Sequence, residues 1–332
     1  MNLWIRLRDC FLRKSKNQNY LKLYELLHSL VEEDKVICPI SQRIFYELLK
    51  QEDDDSLLNT AKVIDKFSRG VTLLSEPERE QSELQYYVRK KILEDNNLIP
   101  VDEFIWAKVP YVMGIVIPTY QKVPIEIQSY IQHKFFDYSW NVSLEELVSI
   151  KSNKNVLRDI LRNDKTVKAM NIGKLLSNNE ISSIRQLFLN ELEGALSIYK
   201  GLVEDFLKYL LSKNDYILVS LKKRNLDSSE KLLKKIYDDI KSDEISCFLP
   251  SLFIHICLHT LVRWDKKRKY KPNDINDFYH AISALPYFDY FFTEKPLTQL
   301  VRMGPYHLDK RYKKIVEFDP IIILDRLTEC AN

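Results

Sequence analysis

Apolar side chains return every three or four residues along most of this chain, and that spacing commits it to amphipathic helices. The clearest run is Leu187, Leu189, Leu192, Ala195, Leu196, Tyr199, Leu202, Phe206 and Leu210, an apolar stripe along one helical face. Helix breakers are scarce: six glycines and twelve prolines are scattered through 332 residues, which excludes collagen-like, linker-rich and low-complexity classes. With 45% hydrophobic and 29% charged side chains, the chain can bury a core without disulfide or metal staples.

The two ends break the helical monotony. Residues 3 to 33 read as two helices. The short apolar segment Val36 to Pro39 then reads as a buried strand. Ser41 is placed to cap a helix through Arg43, Phe45, Leu48 and Leu49, and the acidic run Glu52 to Asp55 reads as a turn. A further helix from Leu57 to Phe67 stops at Gly70, before a strand-like Val71 to Leu74. Near the C-terminus the spacing predicts a helix from Asp277 to Leu285, a strand from Tyr287 to Thr293 and a helix from Leu297 to Met303, with apolar Ile321 to Leu324 beyond them. Strands alternating with helices at both ends, around a helical middle, form an α/β signature.

Bulk charge argues for no partner, because 50 basic residues face 47 acidic ones. Five cysteines, none in a C-x-x-C pair, read as reduced thiols. No run of eighteen apolar residues occurs, and the opening MNLWIRLRDCFLRK carries charge where a signal peptide needs apolar residues. A soluble, cytoplasmic protein with no membrane partner is the expectation.

The segment K-P-N-D-I-N-D-F-Y-H-A-I-S-A-L-P-Y-F-D-Y-F-F-T-E-K, residues 271 to 295, concentrates the chemistry. Asp274 and Asp277 open a helix, while Asp289 and Glu294 flank an aromatic strand. Ligands in doubly wound sheets bind at the C-terminal strand edge, which is where Glu294 falls. Glu47, two turns or so beyond the first strand, is positioned to point toward the same edge. Clustered carboxylates without a histidine partner suit Mg2+ or Mn2+, hard cations that keep positions open for phosphate oxygens and activate a water for phosphodiester hydrolysis.

In this order the motifs resemble the PIN-domain metal-dependent nucleases, over the first 75 residues and about the last 60. Asp277 matches the acid that opens a helix, Thr293-Glu294 the family's T-[DE] step, and Glu47 in C-P-I-S-Q-R-I-F-Y-E-L-L-K-Q the acid of an early helix. Met1-Asn2-Leu3-Trp4 looks like the family's D-x-N motif beginning one residue after its Asp, so an upstream start that restores this acid is expected.

The resemblance implies a PIN-like three-layer α/β core with a parallel sheet, formed by residues 1–80 and 260–332, and a helical insertion at 81–259. It implies an endoribonuclease, of a kind often found in toxins or defence, with Glu47, Asp277 and Glu294 holding Mg2+ or Mn2+ and Asp289 as a further acid of the site. Asn2, Thr293 and His280 would then serve substrate or the metal-bound water. RNA is the implied partner, with a protein inhibitor or a second copy left open. A different class stays in view: a degenerate PIN-like interaction or RNA-binding module without catalysis, or a helical scaffold whose acids coincide.

Blander readings stand beside these. Asp274 suits a helix cap, and His280 a satisfied, partly buried histidine. The basic run Arg263 to Lys271, with Lys267 and Arg268 at its centre, either grips a phosphate backbone or ends a helix in solvent. His255 and His259 have zinc spacing, but their neighbours are Ile, Cys and Leu, which favours a core helix.

Overall fold

The computed structural model describes residues 1–150, 163–177, 182–213, 215–242 and 246–331. Parts of the expected helical middle, at 151–162, 178–181, 214 and 243–245, lie outside these described residues.

The first part of the chain runs α1 (Asn2–Phe11), α2 (Gln18–Glu32), α3 (Gln42–Leu49), α4 (Asp54–Ser68), β1 (Val71–Leu73), α5 (Glu76–Tyr87), a one-turn α6 (Val101–Phe104) and β2 (Trp106–Lys108). The middle holds α7 (Ile125–Asn141), α8 (Leu144–Ser149), α9 (Asp164–Ser177), α10 (Ile184–Ser212), α11 (Tyr216–Lys223), α12 (Ser229–Lys241) and α13 (Pro250–Trp264). The last part is α14 (Asp274–Tyr287), β3 (Tyr290–Phe292), α15 (Lys295–Arg302), α16 (Leu308–Arg311), β4 (Ile315–Glu317) and α17 (Pro320–Ala331). No helix among the described residues is long and apolar enough to cross a membrane.

The expected three-layer α/β core with a parallel sheet is not what this chain forms. Among the described residues it is 68% helical and 4% strand, and the strands make two separate pairs. β1 and β2 are antiparallel, β3 and β4 parallel, and each pairing spans three residues. The Val36 to Pro39 segment supplies no strand; only the next residue, Ile40, makes a lone parallel bridge to Thr72. Ile321 to Leu324 is helical, inside α17. Three-residue apolar runs cannot bury a sheet face, so helices pack on helices instead.

Two features of this packing position the site. The chain's ends meet: α17 lies along α2, α1 packs on α2 and α4, and Phe67 of α4 gathers Trp4 and Tyr24, with ring centroids 6.4 and 5.4 Å away. Leu7 and Cys10 bury the inner face of α1, which leaves Asn2 at its outer start. The long helices α10 and α13 share one apolar core with α5, α14, β3 and β4. Among the described residues, the helical middle shares this core with the C-terminal segment.

The second feature is a buried polar knot that fixes the C-terminal end of α14. Glu83 of α5 accepts hydrogen bonds from Tyr287 Oη at 2.5 Å, Ser251 Oγ at 2.6 Å and Ser251 N at 3.0 Å. Arg79, one turn earlier, lies 3.9 Å from the same carboxylate, with both side chains at or below 1% exposure. The carboxylate thus meets the N-terminal turn of α13, where free backbone N–H groups favour an anion.

Candidate active site

Three segments distant in sequence supply the acids. α3 is short, and burying Phe45, Leu48 and Leu49 leaves Arg43 and Glu47, one turn apart, on the flank facing α14. α14 begins with Asp274 and Asp277 in its first turn and buries Phe278, Ala281, Ile282 and Leu285, so Asp277 and His280 share its other side. Glu294 stands between β3 and α15, as the residue that caps α15.

These groups meet. Glu47 Oε2 lies 3.2 Å from His280 Nε2 and 3.4 Å from the Met1 backbone nitrogen. Asn2 Nδ2 donates to Glu294 Oε1 at 2.5 Å. The His280 side chain is only 10% exposed, yet its Nε2 sits off the line a hydrogen bond to Glu47 requires and has no other partner among the described residues. Asp277 lies within electrostatic reach of Glu294 and Glu47, with no hydrogen bond to its carboxylate among the described residues.

The electrostatics follow from that crowding. Burial pushes the Asp277 carboxyl up, and the negative charges of Glu294, Glu47 and Asp274 push it further, to about 7. Burial would also raise Glu47, but His280, the Met1 nitrogen and Lys50 outweigh it and hold the carboxyl at about 2. Burial lowers the His280 imidazole, partly offset by Glu47. Near neutral pH, Glu47 is therefore an anion beside an imidazole held below its ordinary pKa, and Asp277 is half-protonated.

Other residues singled out from the sequence fall elsewhere. Asp289 precedes β3 while Glu294 follows it, so the two occupy opposite ends of the strand; Asp289 is 90% exposed and 3.6 Å from Lys314 Nζ. Arg268 pairs with Asp274 at 3.1 Å, and Asp274 also accepts from Lys271 N at 2.9 Å, which closes the loop leading into α14. Lys267 is exposed on that loop. Thr293 donates its backbone N–H to Glu317 O, continuing the β3–β4 ladder. His255 and His259 are core: their ring centroids lie 4.4 Å apart at a 32° tilt, burial takes His255 down to about 4, and His259 Nδ1 meets Tyr270 Oη at 3.2 Å.

Arg43 was not evident from the sequence. Its Nε and Nη2 grip both oxygens of Glu76 at 2.8 and 3.0 Å, and its guanidinium lies 3.9 Å over the Tyr279 ring. This clamp joins α3, α5 and α14 beside Glu47 and His280. The available signal was its place one turn before Glu47 on the same helical face.

The donor set suits a hard cation, since carboxylate oxygens dominate it. Among the described residues, however, no three His, Cys, Asp or Glu side chains stand close enough together to hold one ion. A hard cation such as Mg2+ also binds through only one or two carboxylates, with water and phosphate oxygens completing its shell. No family model, curated protein or solved structure matches the chain.

Proposed function

We propose that the Glu47–Asp277–Glu294 cluster binds a divalent cation and hydrolyses RNA phosphodiester bonds. The carrying observation is that Glu47 of α3 and Glu294 at the start of α15 both lie near enough to Asp277 of α14 to raise its carboxyl, beside a His280 whose Nε2 has no aligned hydrogen-bond partner among the described residues. Asp277 and Glu294 would hold the ion, which supplies charge neutralisation and an activated water when bound. Glu47 keeps the His280 imidazole in place, and Asn2 orients Glu294. RNA as substrate rests on the order of the acidic motifs and on the chemistry of a carboxylate-bound hard cation.

The second reading, an RNA-binding or interaction module without catalysis, is favoured by one observation: Glu47 and Glu294 are each already engaged by neighbouring groups, and no three-donor set is assembled among the described residues. Incubation of the purified chain with single-stranded and hairpin RNA, in Mn2+ or Mg2+ and in chelator, separates the two. Metal-dependent cleavage lost in Asp277→Asn supports the nuclease. RNA retention without cleavage supports the module, and cleavage that survives chelation or persists in Asp277→Asn contradicts the proposal.

A further inference from the structure

The basic run at residues 263–271 leaves α13 as a loop whose charges are sorted by side. The acids at its two ends, Asp265 and Asp274, turn inward. Asp265 Oδ1 accepts from Lys267 N at 3.0 Å and from Arg268 N at 3.3 Å. Asp274 accepts from Lys271 N at 2.9 Å and from the Arg268 guanidinium at 3.1 Å. Arg263 is paired with Glu191. Lys266, Lys267, Lys269 and Lys271, by contrast, are exposed and make no ion pair among the described residues.

Cations that follow a helix ordinarily cover its free C-terminal carbonyls. Here a lysine from another helix takes that place. Lys174 of α9 is 5% exposed, and its Nζ donates to Val262 O at 2.7 Å, to Asp265 O at 2.6 Å and to Arg268 O. Asn171, one turn earlier on α9, pairs with both backbone groups of Tyr270, at 2.8 and 3.0 Å, and the Tyr270 ring is buried against Phe278 and His259. The loop backbone is thus fixed from beneath, and none of the four lysine side chains takes part in fixing it. Four like charges within six residues repel one another inside a screening length. A polyanion relieves that repulsion, and because the loop is already ordered, binding has little of its conformational entropy to remove.

Trp264, at the head of the loop, is 42% exposed, and its ring has no aromatic or cationic partner among the described residues. An exposed ring adjoining unpaired cations is the combination that holds single-stranded nucleic acid, the cations on phosphates and the ring on a base. The loop runs directly into the first turn of α14, and Asp274, which it holds, is near enough to Asp277 to raise its carboxyl.

We propose that residues 264–271 bind the backbone of single-stranded RNA, with Lys266, Lys267, Lys269 and Lys271 on phosphates and Trp264 on a base, and so hold the strand beside Asp277. The choice of RNA rests on the nuclease reading, whereas the loop's affinity for a polyanion needs no metal.

Fluorescence anisotropy with a labelled oligouridylate, in chelator so that no metal-dependent cleavage occurs, tests the loop apart from the acidic cluster. Lys267→Ala should lower the slope of log affinity against log salt by about 0.7, the loss of one single-strand phosphate contact. Lys266→Glu combined with Lys269→Glu should weaken binding about tenfold or more. Trp264→Ala should weaken it roughly 5- to 100-fold with the salt slope unchanged, and Trp264→Phe should restore most of the loss. Urea unfolding midpoints should not move in the lysine variants, which separates lost binding from lost fold. Wild type without measurable affinity for the oligouridylate overturns the proposal, as does affinity unchanged in the lysine and tryptophan variants. Tighter binding to duplex RNA, or binding only to anionic phospholipid vesicles, overturns it equally. Cleavage in Mn2+ with binding indifferent to the variants would remove the loop and leave the acidic cluster standing. Binding that needs the loop, without cleavage, would keep the loop and remove the nuclease.

Discussion

Asn2 donates a hydrogen bond to Glu294 across 292 residues of sequence, tying the first helix to the step between β3 and α15. The pair is exposed, so removing it should cost the fold at most about 1 kcal/mol. Its effect on the proposed ion should be larger, because a hydrogen bond to a ligating carboxylate fixes its direction, and losing one weakens metal affinity roughly 10- to 100-fold. Asn2→Ala, compared with wild type by Mn2+ titration and by urea unfolding, is expected to separate these two quantities. Equal affinity in the two proteins would remove Asn2 from the site.

Asp277 makes the folded state sensitive to pH. Its carboxyl titrates at about 7 in the fold, against about 4 in an unfolded chain. Between those values the folded chain keeps a proton that the unfolded chain has released, so stability falls as pH rises through this window and levels off above it. Asp277→Asn lacks that proton exchange. In chelator-containing buffer, the variant should match wild type near pH 4 and exceed it by roughly 2 to 4 kcal/mol at pH 8. Urea unfolding at both pH values checks this, and a variant less stable than wild type at pH 8 would contradict it.

His280 and Glu47 should report on one another. Burial lowers the imidazole and Glu47 raises it, so Glu47→Gln should move the His280 midpoint still lower, as followed by its ring-proton NMR shifts. An unchanged or higher midpoint would mean that the 3.2 Å approach carries no electrostatic coupling.

Arg79 and Glu83 test what holds α14 in place. Both are essentially unexposed, and burial keeps the Glu83 carboxyl raised even with Arg79, Ser251 and Tyr287 pulling the other way. Arg79→Leu strands a buried carboxylate, and urea unfolding should show a loss of about 3 to 5 kcal/mol. A loss below about 1 kcal/mol would mean that Ser251 and Tyr287 alone satisfy Glu83.

Much of the helical content was legible because amphipathic spacing is a local property. α1, α2, α4, α14 and α15 all begin or end within a few residues of where apolar periodicity and caps put them. The acidic run at 52–55 was legible only in part: Asp53 is an N-cap, accepting from Ser56 N at 2.7 Å, with Asp54 and Asp55 in the first turn of α4.

Short apolar runs misled, because four β-branched or branched residues suit a buried strand and a buried helix equally. Val36 to Pro39, read as a strand, forms none, and Ile321 to Leu324, whose composition alone left helix and strand open, lies inside α17 with a helix-start signal just before it. Asp319 accepts from Ile321 N at 2.9 Å, and Pro320 takes the first helical position. The same limit applied to the site. Glu47, Asp277 and Glu294 were named from motif order; Asp289 was read as flanking the strand with Glu294 and still counted as an acid of the site, although the length of β3 separates the two. Arg43 escaped because its partners, Glu76 and Tyr279, come from two other helices.

Binding of Mn2+ to the metal-free chain, followed by electron paramagnetic resonance as free ion is removed from solution, addresses the acidic cluster most directly. The account predicts saturable binding in wild type, abolished in Asp277→Asn and weakened in Glu294→Gln. Binding that is absent in wild type, or undiminished in both variants, would contradict it.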